Sequence, residues 1–205
     1  MRGVYAITDG SPLPRLEDKV REALAHGVPM LQYREKSSDP EKRRFEATAL
    51  LRCCREQQIP LIINDDVTLA AEIGADGVHL GRNDGDIELA RNILGDKAII
   101  GISCYNELDR AIAAQSAGAD YVAFGRFFPS RSKPQTVQAE LSLLDEARST
   151  IQLPIVTIGG ITAANARPLI EHGADIIAVI DALFGSPDIA ARATELNRLF
   201  DSGAR

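Results

Sequence analysis

The sequence predicts an α/β chain folded as a single (β/α)8 TIM barrel, one domain over residues 1–205. Three observations carry that prediction. Short β-branched runs alternate with amphipathic stretches about eight times in 205 residues, which suits the small end of the barrel's size range. Three helix exits share one phrase, Ile73-Gly-Ala-Asp-Gly, Ala117-Gly-Ala-Asp-Tyr and His172-Gly-Ala-Asp-Ile, in which glycine stops a helix and the Ala-Asp turn feeds a strand. The first strand ends in Thr8-Asp9-Gly10-Ser11, without the glycine-rich turn that an open doubly wound sheet would more naturally carry there.

The elements follow in order. Val4 to Thr8 reads as the first strand, and Leu16 to His26 as a helix with Val20, Ala23 and Leu24 on one face and Gly27 as its cap. Met30 to Tyr33 is the second strand, followed by a helix from Pro40, a residue well placed in a first turn, to Gln57. Leu61 to Ile63 with a helix over Val67 to Ile73, and Gly77 to Leu80 with a helix over Ile87 to Leu94, form the next pairs. Ala98 to Ile102 leads to a helix over Glu107 to Ala117, and Tyr121 to Gly125 to a long polar loop and a helix over Leu141 to Thr150. Ile155 to Ile158 is followed by a helix over Ala163 to His172, and Ile176 to Ile180 by a last helix over Pro187 to Phe200.

Composition narrows the class of function. With 45% hydrophobic and 25% charged residues the chain is ordinary globular material. Its net charge of −6 gives no basic footprint for nucleic acid. Three cysteines, Cys53, Cys54 and Cys104, are too few and too badly spaced for a disulfide framework or a zinc site, so reduced thiols and a cytoplasmic location are expected. No secretory signal and no bilayer-length apolar run is read from the sequence.

In a barrel of this kind, chemistry gathers where the strands end. After the second strand Gln32, Arg34 and Lys36 alternate with Tyr33 and Glu35, which places an amide and two cations on one side of an extended segment. Such a row recognises phosphate oxygens, although a solvated basic edge has the same pattern. Asn64 and Asp65 follow the third strand and Asp84 the fourth. Aspartate and asparagine also serve as loop and cap residues. Two carboxylates on successive strand ends nonetheless suit Mg²⁺, which keeps its waters and is shared with a phosphorylated substrate. Ser103 follows the fifth strand, and the loop after the sixth carries Ser130, Ser132 and Lys133 in a stretch, 126–139, long enough for a lid. Gly159 and Gly160, read as opening a helix, offer backbone N–H groups to a monophosphate, with Ile180 and Asp181 completing the pocket. Two anion stations result. One is a neutral turn for a monophosphate; the other sets Gln32, Arg34, Lys36 and Lys133 opposite Asp65 and Asp84 for a Mg²⁺-diphosphate. His79 lies within a strand pattern and His26 and His172 at helix ends, which reads as packing and capping rather than acid–base chemistry.

Taken together, Tyr5-Ala-Ile-Thr8-Asp9, Gln32-Tyr-Arg34-Glu-Lys36, Ile63-Asn64-Asp65-Asp66, Gly77-Val-His-Leu-Gly81 with Asp84, Gly101-Ile-Ser103, Tyr121 through Lys133-Pro134 and Ile158-Gly-Gly-Ile161 resemble the thiamine-phosphate synthase family over nearly the whole chain. The resemblance implies a transferase of thiamine biosynthesis. It would join 4-amino-2-methyl-5-hydroxymethylpyrimidine diphosphate to a thiazole phosphate, carboxylated or not, by a dissociative Mg²⁺-assisted mechanism. It further implies that Asp65 and Asp84 hold Mg²⁺, that Arg34, Lys36, Asn64 and Lys133 bind the diphosphate, and that Gln32 and Ser103 contact the pyrimidine or the leaving group. Ser130, Ser132, Gly160 and the backbone at Ile180 and Asp181 would hold the thiazole phosphate. Of these, Lys133, Arg34 and Ser103 would act at the reacting centre. Two departures stand out: the loop reads Pro129-Ser130-Arg131-Ser132-Lys133 where the family has Pro-Thr-x-Thr-Lys, and Asp181 replaces a frequent serine. The alternatives are a thiazole tautomerase, which would need a general base such as histidine at the rim, and a non-catalytic thiamine-phosphate-binding barrel. The expected partners are these small molecules and neither nucleic acid nor membrane; self-association into a homo-oligomer is left open.

Overall fold

Successive residues of a strand face opposite ways, so a strand buried on both sides needs apolar residues throughout. That requirement shapes all eight strands here. The computed structural model describes residues 2–129 and 137–201. The strands are β1 (Gly3–Ile7), β2 (Met30–Tyr33), β3 (Leu61–Asn64), β4 (Gly77–Leu80), β5 (Ile99–Tyr105), β6 (Tyr121–Gly125), β7 (Ile155–Ile158) and β8 (Ile176–Val179). They pair in parallel and in chain order, and β8 returns to β1 to close the barrel. Around them lie α1 (Arg15–Ala25), α2 (Pro40–Glu56), α3 (Val67–Ile73), α4 (Ile87–Leu94), α5 (Leu108–Ser116), α6 (Ser142–Thr150), α7 (Arg167–Glu171), α8 (Asp181–Phe184) and α9 (Ile189–Arg198).

The alternation sorts the core into two clusters. Val4, Ala6, Val78, Leu80, Val122 and Phe124 face outward and pack with the helices, in the same cluster as Leu50, Leu144 and Leu196. Tyr5, Ile7, Met30, Ile62, Tyr121 and Val156 face inward and fill the barrel. Cys53 and Cys54 are buried on α2, and burial pushes the Cys54 and Cys104 thiols up to about 12, so all three cysteines behave as packing residues.

The repeated Gly-Ala-Asp exits have one structural job. Asp76 accepts the N–H of Leu61 (2.8 Å), Asp120 that of Ile100 (2.7 Å) and Asp175 that of Ile155 (2.8 Å). Each aspartate thus fastens the entrance of its own strand to that of the preceding strand. A helix arginine reinforces each brace: Arg55 donates to the Gly74 carbonyl, Arg91 to Gly118 and Asp120, and Arg148 to Gly173 and Asp175. All three braces sit at the strand entrances, the face opposite the strand ends where a barrel's chemistry lies.

Three expectations are corrected. The helix expected over 163–172 begins only at Arg167 with Pro168 in its first turn. Proline's fixed φ suits a helix start, and residues 162–166 instead form turns held by Asn165, whose Oδ1 accepts the Thr162 N–H (2.7 Å). Ser103 lies within β5 rather than after it, because the strand continues to Tyr105 through a register shift between Ser103 and Tyr105. A short helix, α8, occupies the stretch between the eighth strand and Pro187 where none was expected; the last helix, α9, lies within the expected 187–200, and Asp188 caps it through its bond from the Ala191 N–H (2.8 Å).

Asp175→Ala is expected to lower unfolding free energy by about 1–3 kcal/mol, because it strands the Ile155 N–H and leaves Arg148 without its carboxylate. Denaturant melts read that loss, and substrate affinities should stay at the parent value because the brace faces away from the strand ends.

Candidate active site

One cavity of about 380 Å³ opens at the C-terminal mouth of the barrel, ample for a small phosphorylated molecule. Its lining includes Gln32, Arg34, Asn64, Asp65, Asp84, Ser103, Gly160, Ile180 and Asp181, so nine of the residues singled out in the sequence come together there. Lys36 is not among the lining residues. β2 ends at Tyr33, so the alternation that would have aligned Lys36 with Arg34 stops before it reaches position 36. Ser130, Ser132 and Lys133 lie outside the described residues, as does most of the expected lid.

The floor of the cavity is a chain of four hydrogen bonds. Gln32 Nε2 donates to Tyr5 Oη (2.8 Å), which meets Tyr121 Oη (2.9 Å). Tyr121 Oη reaches His79 Nδ1 (3.0 Å), and His79 Nε2 reaches Ser103 Oγ (2.8 Å). With Gln32 donating at one end, the arrangement that makes every link and also gives both phenol hydrogens an acceptor within the chain runs one way. Tyr5 donates to Tyr121, Tyr121 to Nδ1, and Nε2–H to Ser103. Ser103 then keeps its own proton for whatever lies above it.

The space for this chain comes from a glycine. Gly101 pairs with His79 on one side and Tyr121 on the other, and a Cβ at position 101 would lie 1.9 Å from the Tyr121 ring. The missing side chain lets Tyr121 lean across to stack on His79, with ring centroids 5.6 Å apart. Burial drives the Tyr5 and Tyr121 phenols well above the ordinary tyrosine range, so both remain neutral donors. The sequence reading left Tyr121 and His79 out of the site and used Tyr5 only for the resemblance. Strand phase was the available signal, since all three stand at inward-facing positions.

Above the floor, opposite sides of the mouth differ in character. On the β2–β4 side the Thr8 hydroxyl receives the Arg34 N–H (2.8 Å) and donates to the Arg34 carbonyl (3.1 Å), which fixes the backbone from which Arg34 projects. Asp65 is exposed, with φ 65°, and its N–H is tied to the His79 carbonyl (2.9 Å), while Asn64 Nδ2 donates to its Oδ2. Asp66 is turned to structure instead, capping α3 through the Leu69 N–H (2.8 Å) and pairing with Arg43 (2.7 Å). Asp84 folds back so that Oδ2 accepts the Gly81 N–H (2.9 Å). Among the described residues no group of three or more His, Cys, Asp or Glu could hold a metal by itself. Two carboxylates among oxygen donors fit Mg²⁺, whose remaining positions are taken by water and phosphate oxygens.

On the β7–β8 side Gly159 (φ 106°) and Gly160 (φ 61°) turn in backbone conformations that disfavour side chains. They are pressed against the segment after β6: a Cβ on Gly160 would lie 2.2 Å from the Pro129 carbonyl oxygen. α7 starts seven positions beyond Gly160, so its terminus does not open at this turn; the short α8, starting at Asp181, lines the cavity on the β8 side. Arg126 also lines the cavity here, and the sequence reading did not single it out.

Fold and site together define a phosphate-handling (β/α)8 barrel with its chemistry at the C-terminal mouth. The thiamine monophosphate synthase family model matches residues 4–183. The chain is 57% identical over 204 residues to the thiamine-phosphate synthase of Nitrosococcus oceani, covering 98% of this chain and 94% of that protein. It is 55% identical over 199 residues to that of Thiobacillus denitrificans, covering 97% and 94%. A solved structure, thiamine phosphate pyrophosphorylase from Pyrococcus furiosus, superimposes with TM-score 0.86 at 35% identity over 97% of this chain and 95% of that one. The chain belongs to the thiamine monophosphate synthase family. Among the described residues no helix is long and apolar enough to cross a membrane.

The raised phenol pKa values have a measurable consequence. A neutral buried tyrosine contributes its stability in full below the ordinary tyrosine pKa, and the contribution is lost as pH climbs toward the folded value. Of the four tyrosines, Tyr5, Tyr33 and Tyr121 are raised. In an ultraviolet phenolate titration their signals should appear only with unfolding, above about pH 11. Reversible ionisation of all three near pH 10 in the folded protein would contradict the buried chain.

Proposed function

We propose that this chain is a thiamine-phosphate synthase, a cytoplasmic transferase of thiamine biosynthesis. It condenses 4-amino-2-methyl-5-hydroxymethylpyrimidine diphosphate with a thiazole phosphate to give thiamine phosphate and diphosphate. The observation that carries this reading is one cavity in which Arg34, Asn64, Asp65 and Asp84 stand on the β2–β4 side and the Gly159-Gly160 turn on the β7 side. Two phosphorylated substrates need two separate anion stations at one reaction centre, and the different character of the two sides of this mouth supports that reading.

The chain's own groups divide the work. Arg34 and Asn64 bind the departing diphosphate, Arg34 through its planar fork, as the pyrimidine methylene–oxygen bond breaks and the oxygen keeps the electron pair. Asp65 and Asp84 would hold Mg²⁺, which when bound neutralises charge on the diphosphate. Lys36 and Lys133 are assigned to the same diphosphate. Gln32 and Ser103, aimed by the tyrosine–histidine floor, hold the pyrimidine in line, and the thiazole nitrogen lone pair forms the new carbon–nitrogen bond. Gly160, the backbone at Ile180 and Asp181, and the hydroxyls of Ser130 and Ser132 keep the thiazole phosphate in place. A tautomerase reading loses support from His79, whose two ring nitrogens are already engaged by Tyr121 and Ser103.

The test is thiamine phosphate formation from the two substrates with Mg²⁺ and with EDTA. Product is expected only with the metal. Asp84→Ala should keep the fold and lower kcat/KM by about a hundredfold or more, the scale of losing a preorganised electrostatic group. Undiminished turnover in that variant would remove Asp84 from the metal assignment.

A further inference from the structure

Arg126 is a cation in the cavity wall to which the reading above gives no work. Its Nε is fully enclosed and has no hydrogen-bond partner among the described residues. Seven described arginines are half-buried: Arg34, Arg43, Arg91, Arg110, Arg126, Arg148 and Arg192. Five of them have protein acceptors for their terminal nitrogens, although the Nε of Arg43 and of Arg148 is enclosed without a partner as in Arg126. Arg43, Arg91, Arg148 and Arg192 pair with carboxylates, and Arg110 donates to the Ser103 and Gly81 carbonyls. The remaining two, Arg34 and Arg126, both line the same cavity. A half-buried guanidinium has lost part of its hydration, and without an acceptor that loss goes uncompensated, so an anionic ligand is the natural complement.

Topology separates the two cations. Arg34 follows β2 and Arg126 follows β6, four strands apart in a closed eight-strand order and therefore on opposite sides of the mouth. Arg126 rises from a fixed backbone. Its carbonyl accepts the Ala139 N–H (2.8 Å), and the next two residues donate to the carbonyls of Ile158 (3.2 Å) and Gly159 (3.0 Å). Its own Cβ is 2.3 Å from where a Cβ on Gly159 would stand, so the side chain starts directly beside the glycine turn. The N-terminus of α7 lies seven positions beyond that turn, and the exposed Asp181 carboxylate, at the start of the four-residue α8, shares the cavity wall. Without a side-chain cation, uncharged groups would have to hold a phosphate dianion against that carboxylate. The Arg126 guanidinium, on the same wall, supplies the missing positive charge through its terminal N–H groups, its Nε being enclosed by protein.

We propose that Arg126 binds the monophosphate of the second substrate and sets specificity for its phosphorylated form. The inference rests on the two-substrate reading above and adds a side-chain cation to a station otherwise made of backbone and hydroxyl groups.

The experiment combines steady-state kinetics and calorimetry on the parent protein, Arg126→Gln and Arg126→Lys. In Arg126→Gln, KM for thiazole phosphate should rise roughly tenfold to a hundredfold, the scale of one lost charge-assisted hydrogen-bonding partner. KM for the pyrimidine diphosphate should stay at its parent value, and Arg126→Lys should recover part of the loss. In calorimetry without the pyrimidine substrate, the preference of the parent protein for thiazole phosphate over the unphosphorylated thiazole alcohol should collapse in Arg126→Gln. Equal losses for both substrates would make Arg126 a structural residue, and unchanged thiazole phosphate affinity would overturn the proposal outright. A loss confined to the carboxylated thiazole phosphate would overturn it too, assigning Arg126 to the ring carboxylate. A parent protein that binds thiazole phosphate with this preference but forms no product would sink the synthase reading while leaving the Arg126 assignment standing. A parent protein that binds no thiazole phosphate would sink both.

Discussion

The hydrogen bond between the Tyr5 and Tyr121 hydroxyls, 2.9 Å long in the middle of a closed barrel, is the constraint around which the active end is arranged. A buried phenol left without a partner forfeits roughly 1–3 kcal/mol, so two facing phenols must either bond to each other or be replaced by apolar rings. Once they bond, their remaining capacity has to be met as well, and the chain extends to Gln32 on one side and to His79 and Ser103 on the other. Gly101 follows from the same demand, since any side chain there would occupy the volume of the Tyr121 ring. The two ends of the chain, Gln32 and Ser103, line the cavity. An interior that could have been filled with isoleucine and valine is instead a rigid polar floor that fixes the direction in which Gln32 and Ser103 present themselves.

Stability and chemistry are kept at opposite ends of the strands. At the entrances, Asp76, Asp120 and Asp175 lock neighbouring strands together, with helix arginines behind them. At the exits, the cavity is lined by two arginines without a carboxylate partner among the described residues, and by the carboxylates of Asp65 and Asp84. Groups like these are unfavourable in an empty protein and become favourable when charge of the opposite sign arrives. Two cations, Arg34 and Arg126, line the cavity of a chain whose net charge is −6, beside the carboxylates of Asp65, Asp84 and Asp181.

Much of this was legible in the sequence, for reasons that belong to particular residues. The eight βα units could be read because parallel strands buried on both faces leave unbroken apolar runs such as Leu61-Ile62-Ile63, and because Gly74, Gly118 and Gly173 punctuate the helices. Asp65, Asp84, Arg34 and Asn64 could be read because a strand end followed at once by polar groups is a rim position. Tyr5, Tyr121 and His79 resisted because each looks like ordinary strand material until the register places it opposite its partners across the barrel, and register is a property of the closed sheet. Lys36 was assigned by an alternation that ends with the strand at Tyr33, and the helix expected after Gly160 was displaced by Pro168. Arg126 was hidden by its setting. It reads as one more polar residue of a long loop, and only its place in the cavity wall beside the Gly159 turn gives it meaning.

The proposed function requires the mouth of this barrel to hold two anions at opposite stations above the tyrosine–histidine floor. A crystal structure of the protein with thiamine phosphate, pyrophosphate and Mg²⁺ tests it most directly. The expected density has the phosphate monoester within hydrogen-bond reach of the Gly159-Gly160 turn and Arg126, the pyrophosphate against Arg34 and Asn64, and the pyrimidine ring over Gln32 and Ser103. A ligand bound in the opposite sense, or a phosphate monoester held away from the glycine turn, would contradict that arrangement.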